Sequence, residues 1–119
     1  MTQNEKDLLL KDLCARLPYK VKVEIKKVSQ IATLEDIDCN DDEMSIGVKH
    51  ENGELCGYDF DLAKPYLYPL SNMTEEQFKE YITIPSGYPT IDWFNKNHFD
   101  YRCLIEKGIA IDATGLNIY

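Results

Sequence analysis

The chain has 119 residues, 21 of them acidic against 13 basic, with a net charge of −8; that is the length of one domain, 1–119, able to bury its own core without disulfide or metal staples. A field of that sign repels polyphosphates and anionic lipid, so direct nucleic-acid binding is disfavoured. The first apolar run, Leu8 to Leu10, is stopped after three residues by Lys11, too short for a signal-peptide core or a membrane span, which leads us to expect a cytoplasmic protein with no membrane attachment.

Thr2 with Glu5 three residues later forms a capping box, and Leu9, Leu10, Leu13, Cys14 and Leu17 then recur at helical spacing until Pro18. The period changes to two at once: Tyr19, Val21, Val23 and Ile25 alternate with Lys20, Lys22, Glu24 and Lys26, predicting a half-exposed strand. Gln30 to Asp38 reads as a second strand, with an alternation too irregular to choose its inner face.

The next pair is better determined. Two alternating runs flank Asn52-Gly53, and a three-residue loop, Glu51-Asn52-Gly53 with Gly53 in the left-handed conformation, sets Met44 against Phe60, Ile46 against Tyr58 and Val48 against Cys56. A two-residue loop would place Ile46 opposite Asp59 and mix polar with apolar on one face, so the longer loop is expected.

Residues 61–73 carry two prolines and no period, and read as an extended connection covering an edge of the sheet. Thr74 and Gln77 form a second capping box, with Met73 and Phe78 placed for a hydrophobic staple, so a helix runs from Thr74 to before Pro85. A short helix starting near Asp92 ends at Asn97-His98. Asp100 then caps a further helix from Tyr101 to Lys107, closed by Gly108 in a Schellman motif that brings Ile109 to Leu104. Ile109 to Ile111 forms a last strand. The predicted fold is α+β: an N-terminal helix, an antiparallel meander of about four strands and a C-terminal cluster of short helices.

The segments LLLKDLCARLPYKVKVEI, DLAKPYLYPLSNMTEEQ and FNKNHFDYRCLIEKGIAID resemble, in order and over most of the chain, a group of small uncharacterised proteins of gut Bacteroidetes and their phages or mobile elements. The resemblance implies such an origin and attaches no activity, cofactor or catalytic residue. Members of the group often read DYRGLIEKG, with Gly where this chain has Cys103, which speaks against a nucleophilic Cys103.

Cys14, Cys39, Cys56 and Cys103 form no CxxC pair, so the spacings of zinc and thioredoxin-like sites are absent; Cys14 and Cys56 fall on faces assigned to the core. Cys103 could pair with His98 or His50 as a thiolate nucleophile, a combination that sequence proximity alone does not establish. Asp36, Asp38 and Asn40 match the opening of a calcium loop, but Asp41 stands where its sixth position needs Gly and Gly47 where its twelfth needs Glu. Glu35, Asp36, Asp38, Asp41, Asp42 and Glu43 then read as a solvated acidic arc, balanced in part by Lys20, Lys22, Lys26 and Lys27, and as the candidate surface for a partner. Tyr66, Tyr68, Tyr81, Tyr88 and Tyr101 either fill gaps between helices and sheet or form an aromatic contact surface.

These features predict a small acidic, non-enzymatic accessory protein that binds another protein bearing a basic surface, with no catalytic residue, metal or cofactor assigned and the oligomeric state open. The alternative is a small hydrolase or metal-dependent enzyme using His50 or His98 with nearby carboxylates.

Overall fold

The structure is a computed structural model that describes residues 2–26, 28, 30–39, 44–85 and 87–119, and only the backbone at positions 39 and 88. Helix α1 (Gln3–Arg16) starts as its sequence dictates: Glu5 N–H donates to Thr2 Oγ1 and Thr2 N–H to Glu5 Oε1, both at 3.1 Å. Its buried face is Leu9, Asp12, Leu13 and Arg16. At about 100° per residue Cys14 points about 150° from the centre of that face, so this cysteine is exposed and not a core residue as expected. Cys56 does pack against the core.

Seven strands form one sheet in the order β4-β3-β2-β1-β5-β6, with β7 also on β5: β1 (Lys22–Ile25), β2 (Gln30–Cys39), β3 (Met44–His50), β4 (Leu55–Asp59), β5 (Ala63–Pro69), β6 (Phe99–Asp100) and β7 (Ile111–Asp112). The four-strand expectation is thus too low. Val21, Val23 and Ile25 are buried beside Leu9 and Leu13 of α1, and Ala32, Leu34, Ile46, Val48, Ala63 and Leu67 complete the sheet's share of the core.

The irregular pattern of β2 has a local cause. Leu34 faces Val48 and Asp36 faces Gly47, so Glu35 is an extra residue in a bulge. The inward side therefore passes from Ala32 and Leu34 to Ile37. A Cβ at position 47 would meet the carboxylate of the exposed Asp36, which would have to turn aside. The hairpin has the expected register, Ile46 opposite Tyr58 and Val48 opposite Cys56, with Gly53 at φ 89° and His50 N–H bonded to Glu54 C=O at 2.9 Å. Phe60 leaves the ladder for a 3-10 turn, Phe60–Leu62, so the pair expected with Met44 is not part of it.

The largest correction concerns 61–73. Ala63–Pro69 is an interior strand, antiparallel to β1 and parallel to β6 and β7. Proline lacks the N–H a central strand needs, and the register shows how it is accommodated. Lys26 N–H bonds Leu62 C=O, so the bonded rungs fall at 26/62 and 24/64 and Val23 opposite Pro65 is a non-bonded pair. The next bonded rung would be 22/66. There the Tyr119 hydroxyl intervenes: it accepts from Lys22 N–H at 2.8 Å and donates to Tyr66 C=O at 2.7 Å.

Helix α2 (Glu75–Ile82) carries the second capping box, and α3 (Tyr88–Lys96) starts four residues before Asp92, with Pro89 in its first turn and Gly87 at φ 105° preceding it. The helix expected over Tyr101–Lys107 is reduced to one turn. Asp100 still caps it, accepting from Leu104 N–H at 2.9 Å and Ile105 N–H at 3.0 Å. Gly108 N–H to Ile105 C=O and Ile109 N–H to Leu104 C=O, both 3.1 Å, with Gly108 at φ 77°, complete the Schellman motif. The final strand lies two residues later than expected, at Ile111–Asp112.

Candidate functional site

Two concavities flank the first turn of α2 and share Thr74. One is an open apolar groove of about 790 Å³ lined by Leu70, Met73, Phe78, Tyr81 and Phe94, with Glu75 and Lys79 at its rim. The capping box sets the start of α2, and the i, i+4 spacing of Phe78 and Ile82 then puts both on one face. They are 53% and 61% exposed, and Leu70 is 43% exposed. Met73 and Phe78, expected as a staple, both border this groove. Its floor is an aromatic stack: Tyr81 lies on Phe94 at 5.4 Å, Phe94 on Tyr101 at 5.5 Å and Trp93 on Phe99 at 5.6 Å. Trp93 Nε1 donates to Glu80 at 2.9 Å, tying α3 to α2.

The second concavity, about 470 Å³, is polar, and Asn72, Gln77, Lys96, Asn97, His98 and Asn117 line it together with Tyr119. His98 follows the end of α3 in a left-handed conformation, φ 61°, and its ring stacks on Tyr119 at 3.7 Å. The anchored Tyr119 hydroxyl holds that stack against the sheet. Burial, helped by the Arg16 charge, lowers the imidazole pKa from 6.5 to about 4, so the ring is neutral at pH 7. The His98 Nδ1 atom is buried without a partner. Burial of the Tyr119 hydroxyl raises its pKa strongly, so it too stays neutral.

Near His98 and Tyr119 lies an ion cluster for which the sequence reading assigned no role. Asp12 and Arg16 are fully buried; Arg16 Nε donates to Asp12 at 2.9 Å, Arg102 Nη1 to Asp12 at 2.9 Å, and Arg16 Nη2 to Phe99 C=O at 2.6 Å. Tyr101 presents its ring to both guanidiniums, 5.4 Å from Arg16 and 4.7 Å from Arg102. Burial pushes the Asp12 carboxyl up, and the two arginines pull it back. Two cations and one anion leave the cluster a net charge of +1. Asp12 and Arg16, four apart among the leucines of α1, were its only signal in the sequence.

The residues singled out from sequence are scattered. Glu35 is half-buried on β2 and reaches Lys20 at 3.7 Å, while Asp36 and Asp38 are exposed; Asn40, Asp41, Asp42, Glu43 and Lys27 lie outside the described residues. Cys103 is exposed with φ 59°, a left-handed position that favours Gly. Among the described residues no hydrogen bond links it to either histidine. His50 is buried and its Nε2 lies 3.0 Å from the Tyr58 hydroxyl, with Glu51 the one carboxylate among the described residues that line the adjoining hollow. Among the described residues, no Asp or Glu side chain lines the His98 pocket. Among the described residues, no cluster of three or more His, Cys, Asp or Glu side chains could hold a metal ion. The tyrosines mostly fill gaps: Tyr101 donates to Asn95 at 3.0 Å and Tyr66 to Glu24 at 3.3 Å, while the Tyr88 side chain lies outside the described residues.

No protein-family model, curated protein or solved structure matches the chain. No helix among the described residues is long and apolar enough to cross a membrane.

Proposed function

We propose that this is a small acidic accessory protein that acts by binding another protein, and that the partner's docking segment carries apolar side chains flanked by Lys or Arg. The observation that carries this reading is the groove beside α2, where Phe78 stands more than half exposed in one lining with Leu70, and Ile82, one turn further along the same helix face, is more exposed still. A contiguous apolar patch rimmed by polar groups favours a partner over open solvent. The sign of that partner follows from the whole chain: the rim holds Glu75 with Lys79, while the net charge of −8 favours a basic segment. Complementary charge sets orientation and association rate. The arc of Glu35, Asp36, Asp38, Asp41, Asp42 and Glu43 belongs to the same reading as a separate source of long-range attraction, effective over about 8 Å at physiological salt. A hydrolase or metal-dependent enzyme would need carboxylates gathered at His50 or His98, and the single Glu51 beside His50 gives that alternative less support.

The test places a photo-crosslinking residue at position 78 and exposes the full chain to host lysate. Cross-linked segments should carry Lys or Arg beside apolar residues, and Ile82→Glu should cut capture about tenfold, as loss of a central anchor does. Glu75→Gln with Glu76→Gln, or high salt, should slow association. Capture that survives Ile82→Glu and salt, or capture of an acidic segment or of a second copy of this chain, overturns the reading.

A further inference from the structure

We propose that the pocket around His98 and Tyr119 is a binding site for a small hydroxylated carboxylate, a function beyond protein docking in the neighbouring groove. The lining has the composition such a ligand requires. In a chain of net charge −8, no Asp or Glu side chain among the described residues lines this pocket, and Lys96 is the one charged side chain among those that do. The nearby buried cluster of Asp12, Arg16 and Arg102 adds a net positive charge, which favours an anion there. One exposed ammonium suits a monoanion; a phosphate is more often held by several cations or by the guanidinium fork, and both arginines already serve Asp12.

The neutral groups are also partly uncommitted. Gln77 gives its Oε1 to Thr74 N–H and keeps its Nε2 donors, while Asn97 gives its Nδ2 to Trp93 C=O and keeps its Oδ1 acceptor. Asn72 and Asn117 add two more amides. Amides present donors and acceptors side by side, the pattern that matches ligand hydroxyls. His98 Nδ1 is buried with no partner, and native structures seldom keep such an atom unpaired. The ring itself forms part of the pocket wall, and its stack on Tyr119 holds it in place.

The backbone supplies an independent sign. His98, Gly115 and Asn117, all on the pocket wall, have φ of 61°, 80° and 52°. For His98 this is an uncommon conformation for a bulky side chain, of the kind that gathers at ligand sites.

The test uses the full chain, isotope-labelled, with sodium gluconate as probe and glucose and acetate as controls, reading the ring signals of His98 and Tyr119 by NMR. Gluconate should shift both saturably below about 10 mM, with glucose and acetate at least about tenfold weaker. Lys96→Gln should weaken gluconate about tenfold and leave glucose unchanged. His98→Asn, chosen because Asn tolerates a left-handed backbone, should abolish the Tyr119 response while amide dispersion reports an intact fold. If that variant does not fold, the Lys96→Gln comparison decides. The proposal is overturned if glucose reproduces the gluconate shifts at equal concentration, if Lys96→Gln binds as tightly as the parent, or if neither ring moves.

Discussion

The meander β1–β4 and the seam where α1 meets α3 and the last twenty residues are held by different physics. In the meander the partners are neighbours along the chain, the core face is apolar, and pairs such as Ile46 with Tyr58 follow from alternation and one turn. In the seam the partners are distant: Arg16 reaches Phe99, Arg102 reaches Asp12, and Tyr119 replaces a rung between Lys22 and Tyr66. The difference teaches that apolar contacts tolerate partial loss, whereas a buried charge is bearable only while all its partners are in place.

The sharpest way to break this comparison is Asp12→Ala, which leaves Arg16 buried without its carboxylate and should lower the unfolding free energy by about 3–5 kcal/mol in urea titration. Replacing the pair together, Asp12→Leu with Arg16→Met, should recover most of that loss. If the single substitution costs under about 1 kcal/mol, the cluster is ordinary packing and the contrast fails. In the meander, Ile46→Ala should cost about 3 kcal/mol through the cavity it leaves. Its near-ultraviolet circular dichroism, dominated by the aromatic stack elsewhere, should not change.

A smaller effect is expected at Asp100. Asp100→Ala removes the acceptor for Leu104 and Ile105 N–H and should cost about 1–2 kcal/mol by thermal or urea unfolding. Asp100→Asn should keep part of the cap. No measurable loss would show that the turn is held by the Schellman bonds alone.

The smallest effect is in pH. The His98 pKa is 6.5 unfolded and about 4 folded, so the unfolded chain binds the extra proton between those values. Stability from this group is complete above pH 6.5 and lost as pH falls toward 4, an effect reduced by solvent at the half-buried ring. Asp12 acts oppositely: its raised folded pKa gives stability at low pH that is lost as pH rises through that value. The difference between the parent and His98→Asn across pH 4 to 6.5 therefore isolates His98, and parallel curves would contradict its burial as a neutral ring.

Both capping boxes, β1, the β3–β4 register, the Asp100 cap and the Gly108 motif were legible in the sequence because each rests on residues within a few positions of one another. The inner face of β2 was not, since a bulge at Glu35 shifts the alternation without leaving a mark in composition. Strand β5 was hidden by Pro65 and Pro69, which sequence reasoning treats as breakers; only its register with β1 shows that Pro65 falls at a non-bonded pair. Strands β6 and β7, two residues each, are too short to carry a period.

The same division holds for the candidate sites. The sequence by itself determined net charge, the starts of the first two helices, the hairpin register and the i, i+4 placement of Phe78 with Ile82, because short-range geometry and side-chain chemistry suffice for these. Only the tertiary structure decided that Asp12 turns inward with Arg16 and meets Arg102, that Cys103 stands apart from both histidines, and that His98 stacks on Tyr119 over a polar pocket. Those contacts join residues up to 90 positions apart, and no local propensity encodes a pairing that exists only once the sheet has brought its ends together.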